Sequence, residues 1–170
     1  MRRVNAIVTA GMLLCFILHA VFGSLQLFGA SGSTVTRILG MITFSFCAAH
    51  VVIGIYLTAV SVYAGKKSGK FYFKDNMLFW ARRISGLPII AAIVFHVVAL
   101  NIGSAPKLAM QILLGVSIAF HVVLNVKPVL ITLGIKPLKQ HLAGISFAFS
   151  VLILLTVIAF IVYYVRWYVW

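Results

Sequence analysis

Acid is almost absent from this sequence. Its 170 residues hold one aspartate, Asp75, and no glutamate, against 14 Lys plus Arg. Cation transporters and proton pumps usually line their path with carboxylates, so apolar runs without any argue against both classes. Charge of either sign is scarce, at 9%, where a soluble domain carries about 25%. So few polar groups cannot cover a water-facing surface. That excludes a soluble basic protein and, with it, a nucleic-acid partner. Cysteine is limited to Cys15 and Cys47, both inside apolar runs. No disulfide framework follows, and the two read as small buried hydrophobes. Long connections are missing too, so no soluble domain fits between the apolar runs.

What is present is hydrocarbon: 64% of the chain is hydrophobic, with a mean hydropathy of +1.17. Five runs, near 4–29, 35–64, 79–103, 107–134 and 141–165, are long enough to cross a bilayer core, which takes about 20 helical residues. The expected fold is an all-α integral membrane protein, one domain over 1–170. The run after Arg2 and Arg3 is too long for a signal h-region and is followed by further spans, so no cleavable signal is expected. Gly29 to Ser33, Gly65 to Lys70, Gly103 to Pro106 and Gly134 to Pro137 supply the breakers between spans. Pro88 and Pro128 fall within spans, where each is expected to kink its helix.

The cations divide unequally. Arg2, Arg3, Lys66, Lys67, Lys70, Lys74, Arg82, Arg83, Lys136 and Lys139 fall on one side, and Arg37, Lys107 and Arg166 on the other. The positive-inside rule puts the N-terminus and the 65–80 loop in the cytoplasm. The aromatic segment from Tyr163 to Trp170 then lies at the outer interface, with the C-terminus outside. The basic side also suits anionic lipid or an acidic partner, with plain orientation bias as the simpler explanation.

His19, His50, His96 and His121 fall one each on the first four spans. Each is some 13 to 17 residues from its cytoplasmic end, or about 20–25 Å at the helical rise. Ionisable residues at that depth are costly and usually functional. A lone histidine there is commonly a neutral packing residue; four on consecutive helices point elsewhere. A b-type haem is a flat apolar disc that suits a bundle interior, held by two axial imidazoles and serving electron transfer. Four histidines make two haems, and the expected fold becomes a five-helix bundle enclosing both. Zinc would want clustered ligands, commonly with carboxylates, and an aqueous path.

Local sequence agrees with a disc against the helix. Gly23 follows His19 by four residues and Gly54 follows His50 by four, on the same faces. Each clears room for a porphyrin edge, or equally for a neighbouring helix. Asn125 takes that place after His121 and is a candidate for a haem substituent or a neighbouring helix.

The stretch between His50 and His96 carries a family likeness. His50-Val51-Val52-Ile53-Gly54-Ile55-Tyr56 is followed by a short basic loop with Tyr72-Phe73, then Asn76-Met77 and Arg83-Ile84-Ser85-Gly86, and His96 lies ten residues beyond Gly86. This resembles the dihaem cytochrome b membrane anchor of succinate:menaquinone oxidoreductases and fumarate reductases, closest to the single-anchor type of Gram-positive succinate dehydrogenases. The likeness is strongest in that middle stretch and looser over the rest. It implies that His50 and His121 hold the haem nearer the cytoplasm and His19 and His96 the outer one. It further implies a flavoprotein and an iron–sulfur subunit docked on the cytoplasmic face of a prokaryotic inner membrane. Electrons would pass between that module and menaquinone, with catalysis proper on the partner subunits. The sequence departs from the family at Arg3-Val4-Asn5, where an Arg, a His and a Ser are usual, and in lacking intramembrane carboxylates, which removes that proton route.

Haem propionates need cationic or hydrogen-bonding partners. Arg82, Arg83, Ser85 and Lys127 are candidates at the cytoplasmic haem, and Arg37 and Lys107 at the outer one. Snorkelling of Lys127 and lipid-phosphate contacts of Arg37 and Lys107 are the plainer roles. His141, at the start of the fifth span, is a candidate for a quinone site or a propionate, with a solvated interfacial position as its plainer role. Two other readings stay open. One is a cytochrome b subunit of a different dehydrogenase or reductase. The other is a small non-haem transporter or assembly factor with structural histidines.

Overall fold

A computed structural model describes residues 1–69, 77–98, 104–136 and 139–168, leaving out the side chains of 98, 104–107, 139, 141, 167 and 168. Every regular element among them is helical. The helices are α1 (Arg2–Leu27), α2 (Ser33–Lys67), α3 (Met77–Ile84), α4 (Leu87–Val98), α5 (Ser104–Thr132) and α6 (Lys139–Tyr168). Five segments are long and apolar enough to cross a membrane: Arg2–Leu27, Ser33–Lys67, Met77–Val97, Leu108–Thr132 and Leu142–Arg166. Four of the five segments lie within three residues of the expected bounds, and the third, expected over 79–103, runs beyond the described residues at its end. Residues 99–103, 70–76 and 137–138 lie outside the described residues, and with them Asp75, Lys70, Lys74, Tyr72, Phe73 and Asn76.

The helix ends follow from glycine. Gly29 at φ 102° and Gly134 at φ 83° take the left-handed conformation that closes α1 and α5. The amides of Ala30 and Ile135 then reach back to the carbonyls of Leu25 and Leu130 at 3.1 and 2.9 Å. The α2 helix, at 35 residues, is about 52 Å long and outruns the hydrocarbon core.

Small residues make the helix contacts. Ala6, Ala20, Ala92 and Ala159 are buried, with Phe149 and Ile153 the only large apolar side chains so enclosed among the described residues. A Cβ added at Gly115 would come within 3.2 Å of Ile153 and 3.3 Å of Val157, so this glycine sets how closely α5 and α6 approach. Many larger apolar side chains are exposed along the helices, as a bilayer solvent allows. Cys15 and Cys47 are free but half-buried rather than buried, since few side chains surround them in so thin a bundle. Hydroxyls within the spans turn inward to their own helix: Thr43, Thr58, Ser61 and Thr156 donate to carbonyls four residues back. That satisfies them where no water is at hand.

The two prolines behave differently. Pro88 does not kink a continuous span. It is the second residue of α4, and the third span is broken before it. The amide of Ser85 still bonds Ala81, but that of Gly86 tightens to Arg83, and α4 starts afresh at Leu87. In a first turn the missing N–H of proline costs nothing, because those donors are unpaired anyway. Pro128 lies inside α5 and deprives the carbonyl of Leu124 of its usual donor. Arg82 from α3 supplies one: its Nε donates to Leu124 O at 3.0 Å. Arg82, expected beside a propionate, is thus engaged in closing the α5 hydrogen-bond ladder.

This pairing makes a testable coupling. Arg82→Leu should destabilise the detergent-solubilised protein by about 1–3 kcal/mol, the usual cost of stranding a buried acceptor. In a Pro128→Ala background, where the amide regained at that position serves Leu124, the same change should cost much less. Denaturant unfolding of the four proteins of the cycle measures the difference.

Candidate functional site

Four half-buried histidines sit in two facing pairs. The rings of His19 on α1 and His96 on α4 are 6.4 Å apart between centres, with planes at 87°. Those of His50 on α2 and His121 on α5 are also 6.4 Å apart, at 83°. The pairs occupy two levels. His50 is bonded to Thr9, ten residues nearer the start of α1 than His19, which puts the levels about 15 Å apart along the helix. The His50–His121 level is nearer the end of the bundle that carries Arg2, Lys66, Lys67, Arg82 and Arg83.

Each ring is held by its Nδ1. His19 Nδ1 is 3.0 Å from the carbonyl oxygen of Thr36. His96 Nδ1 is 2.9 Å from Gln111 Oε1. Both partners are acceptors, so both Nδ1 atoms carry the proton and donate. Thr9 and Ser85 are hydroxyls, which give as well as take. Thr9 donates to Asn5 O at 2.8 Å and faces His50 Nδ1 at 3.0 Å. Ser85 donates to Arg82 O at 3.1 Å and faces His121 Nδ1 at 2.8 Å. A hydroxyl has one proton; directed to the carbonyl, it leaves the oxygen to accept from the imidazole. All four Nδ1 atoms are thus engaged.

With Nδ1 engaged, each ring has Nε2 as its remaining nitrogen. Imidazole binds metals through nitrogen at about 2.0–2.1 Å, so two such bonds end to end separate ring centres by roughly 6 Å. The observed 6.4 Å fits. So does an Nδ1–H tied to a carbonyl or hydroxyl, the usual outer support of a metal-bound histidine.

The closely packed neighbours are α1 with α2, α5 and α6, α4 with α3 and α5, and α5 with α3 and α6. The helices that carry the pairs, α1 with α4 and α2 with α5, are not among the closely packed ones. The donor set suits a group that brings its own equatorial ligands: among the described residues no three His, Cys, Asp or Glu side chains cluster as a closed metal site would require. Two imidazoles that face each other from different helices match the ligand pair that a b-type haem needs.

The other expected site residues are placed as follows. A Cβ on Gly54 would meet nothing within 4 Å, so space lies open one turn beyond His50. A Cβ on Gly23 would meet Thr36 at 3.7 Å, so this glycine faces α2. Arg83 bonds Thr58 Oγ1 through Nε at 2.8 Å and Phe79 O at 3.0 Å, with its guanidinium 3.4 Å from the Phe79 ring centre. Ser85, expected near a propionate, gives its proton to Arg82 and supports His121 instead. Asn125 donates to His121 O at 2.8 Å in its own helix. Lys127 and Arg37 are exposed. The side chains of Lys107 and His141 lie outside the described residues.

Sequence reasoning passed over Thr9, Thr36, Gln111 and Gly40, and singled out Gly86 only as part of a motif. Gln111 carried a signal, as an amide amid apolar residues of the fourth span. Gly40 makes room for the His19 ring, where a Cβ would fall 3.0 Å from Cε1, and Gly86 is placed likewise beside His121 at 3.5 Å.

An all-helical chain with five segments long and apolar enough to cross a membrane is of the multi-pass membrane class, and it sets its four intramembrane histidines in two facing pairs. No protein-family model, characterised protein or solved structure matches this chain. The likeness to dihaem anchors therefore stands on the chain's own residues.

The tautomers can be read directly. In protein purified without haem and labelled with ¹⁵N at histidine, the four intramembrane rings should all show neutral Nδ1–H signatures. An Nε2–H signal from His19, His50, His96 or His121 would contradict the assignment.

Proposed function

We propose that this chain is a dihaem cytochrome b membrane anchor, carrying electrons between a cytoplasmic flavoprotein/iron–sulfur module of the succinate dehydrogenase or fumarate reductase type and menaquinone. One observation carries the reading: four Nδ1-anchored imidazoles lie in two facing pairs at two levels. His50 with His121 and His19 with His96 are the pairs the family likeness implies. Each would hold one haem b, a one-electron carrier whose two axial imidazoles leave no open position for oxygen chemistry.

The protein supplies placement. Thr36, Gln111, Thr9 and Ser85 orient the four rings. Two levels about 15 Å apart form a ladder across the apolar core. Arg83, at the more basic end of the bundle, keeps guanidinium N–H groups beyond those bonded to Thr58 and Phe79, and is the nearest described candidate for a propionate. The cation-rich side would give the module a docking surface; by the positive-inside rule it and the N-terminus would face the cytoplasm, of a prokaryote as the family likeness implies, with the C-terminus outside. Catalysis on succinate or fumarate would belong to the partner subunits.

The test is the reduced-minus-oxidised optical spectrum of the purified protein with haem counted per chain. Wild type should carry two low-spin b haems. His19→Ala and His96→Ala should lose one of them, and His50→Ala and His121→Ala the other. A colourless wild type, expressed with haem available, would refute the reading and favour a transporter or assembly factor. Loss of the wrong haem by any variant would refute the pairing alone.

A further inference from the structure

The two pairs are anchored by different chemistry. At the His19–His96 level both Nδ1–H groups meet carbonyl-type oxygens directly, the Thr36 backbone and the Gln111 amide. At the His50–His121 level both meet a hydroxyl, which in turn donates to a backbone carbonyl: His50 to Thr9 to Asn5, and His121 to Ser85 to Arg82. The same relay is built twice, on α1 and at the α3–α4 break, from unrelated local sequence. Thr9 is 8% exposed and Ser85 8% exposed, so neither relay competes with water.

The break in the third span belongs to this device. A Ser inside an unbroken helix usually bonds the carbonyl four residues back. Ser85 instead bonds Arg82, three residues back, in the tightened turn that ends α3. Its remaining lone pairs face α5 and His121. Thr9 keeps the four-back bond, to Asn5, and reaches His50 across the closely packed α1–α2 contact.

We infer that Thr9 and Ser85 are paired positioning residues for one haem, fixing the tautomer of its two axial imidazoles and raising their basicity. The inference rests on the dihaem reading and adds to it that both relays act on the same centre. A hydroxyl is needed because the group must accept from the ring and donate to the carbonyl at once. A basic imidazole favours ferric over ferrous iron, so removing its acceptor moves the midpoint upward.

The experiment uses the full-length, haem-loaded protein and the variants Thr9→Val, Thr9→Ser, Ser85→Ala and Ser85→Thr. It reads the two haem midpoints by optical redox titration, and retention of each haem against a competing haem-binding protein. Thr9→Val is close to isosteric, and the second haem reports folding in every variant. Thr9→Val and Ser85→Ala should each raise the midpoint of the same haem, the one missing from His50→Ala. Its affinity should fall about 10–100-fold. A tenfold loss of ferric preference corresponds to about 59 mV for a one-electron couple. Thr9→Ser and Ser85→Thr should restore wild-type values. Unchanged midpoints and retention in Thr9→Val and Ser85→Ala would overturn the inference while leaving the dihaem reading standing. So would a change shared equally by both haems. A wild type that holds no haem would remove both.

Discussion

Everything in this bundle answers to one constraint: a polar group inside hydrocarbon must find its partner within the protein. Hydroxyls in the spans turn back to their own carbonyls. Pro128 deprives one carbonyl of its donor, and a guanidinium from another helix restores the bond. The imidazoles identify the site. Each anchors its Nδ1 to a partner within the bundle, and the four rings face each other in two pairs.

The third span shows how placement follows from that constraint. Proline at 88 forces a helix start, and the turn before it tightens at Gly86. That turn aims the Ser85 hydroxyl at His121 and leaves Gly86 against the same ring. Arg82, one turn earlier, ties α3 to the proline-relieved carbonyl of α5. A single helix break thus serves the backbone of one helix and the orientation of a side chain on another. On the opposite face of the bundle, Gly40 gives the His19 ring its place beside α2, whose Thr36 carbonyl holds it.

The spans were legible because hydropathy over twenty residues is a strong signal and glycine marks the turns. The four histidines were legible because ionisable residues stand out in apolar runs. Their depths, close together along the sequence, did not separate them into pairs; helix packing does so, by bringing α1 against α2 and setting His50 beside Thr9 rather than beside His19. The supports were mostly invisible. Thr36 acts through its backbone carbonyl, which leaves no trace in a sequence. Thr9 looks like any hydroxyl in a membrane helix until α2 lies against it. Arg82 and Ser85 were visible as polar residues near the basic end, but their roles were assigned to propionates because a proline's unpaired carbonyl and a tilted ring are three-dimensional facts. Pro88 read as a kink because sequence alone does not distinguish the interior of a span from the first turn of a new helix.

The central claim is that each imidazole pair is a bis-axial ligand set for haem, with ring planes near perpendicular at 87° and 83°. Perpendicular axial imidazoles give ferric haem a strongly anisotropic low-spin electron paramagnetic resonance signal, distinct from the rhombic signal of parallel rings. The oxidised, purified protein should show two such signals of equal weight. A protein without ferric haem resonances, or one with high-spin signals from an open coordination site, would contradict it.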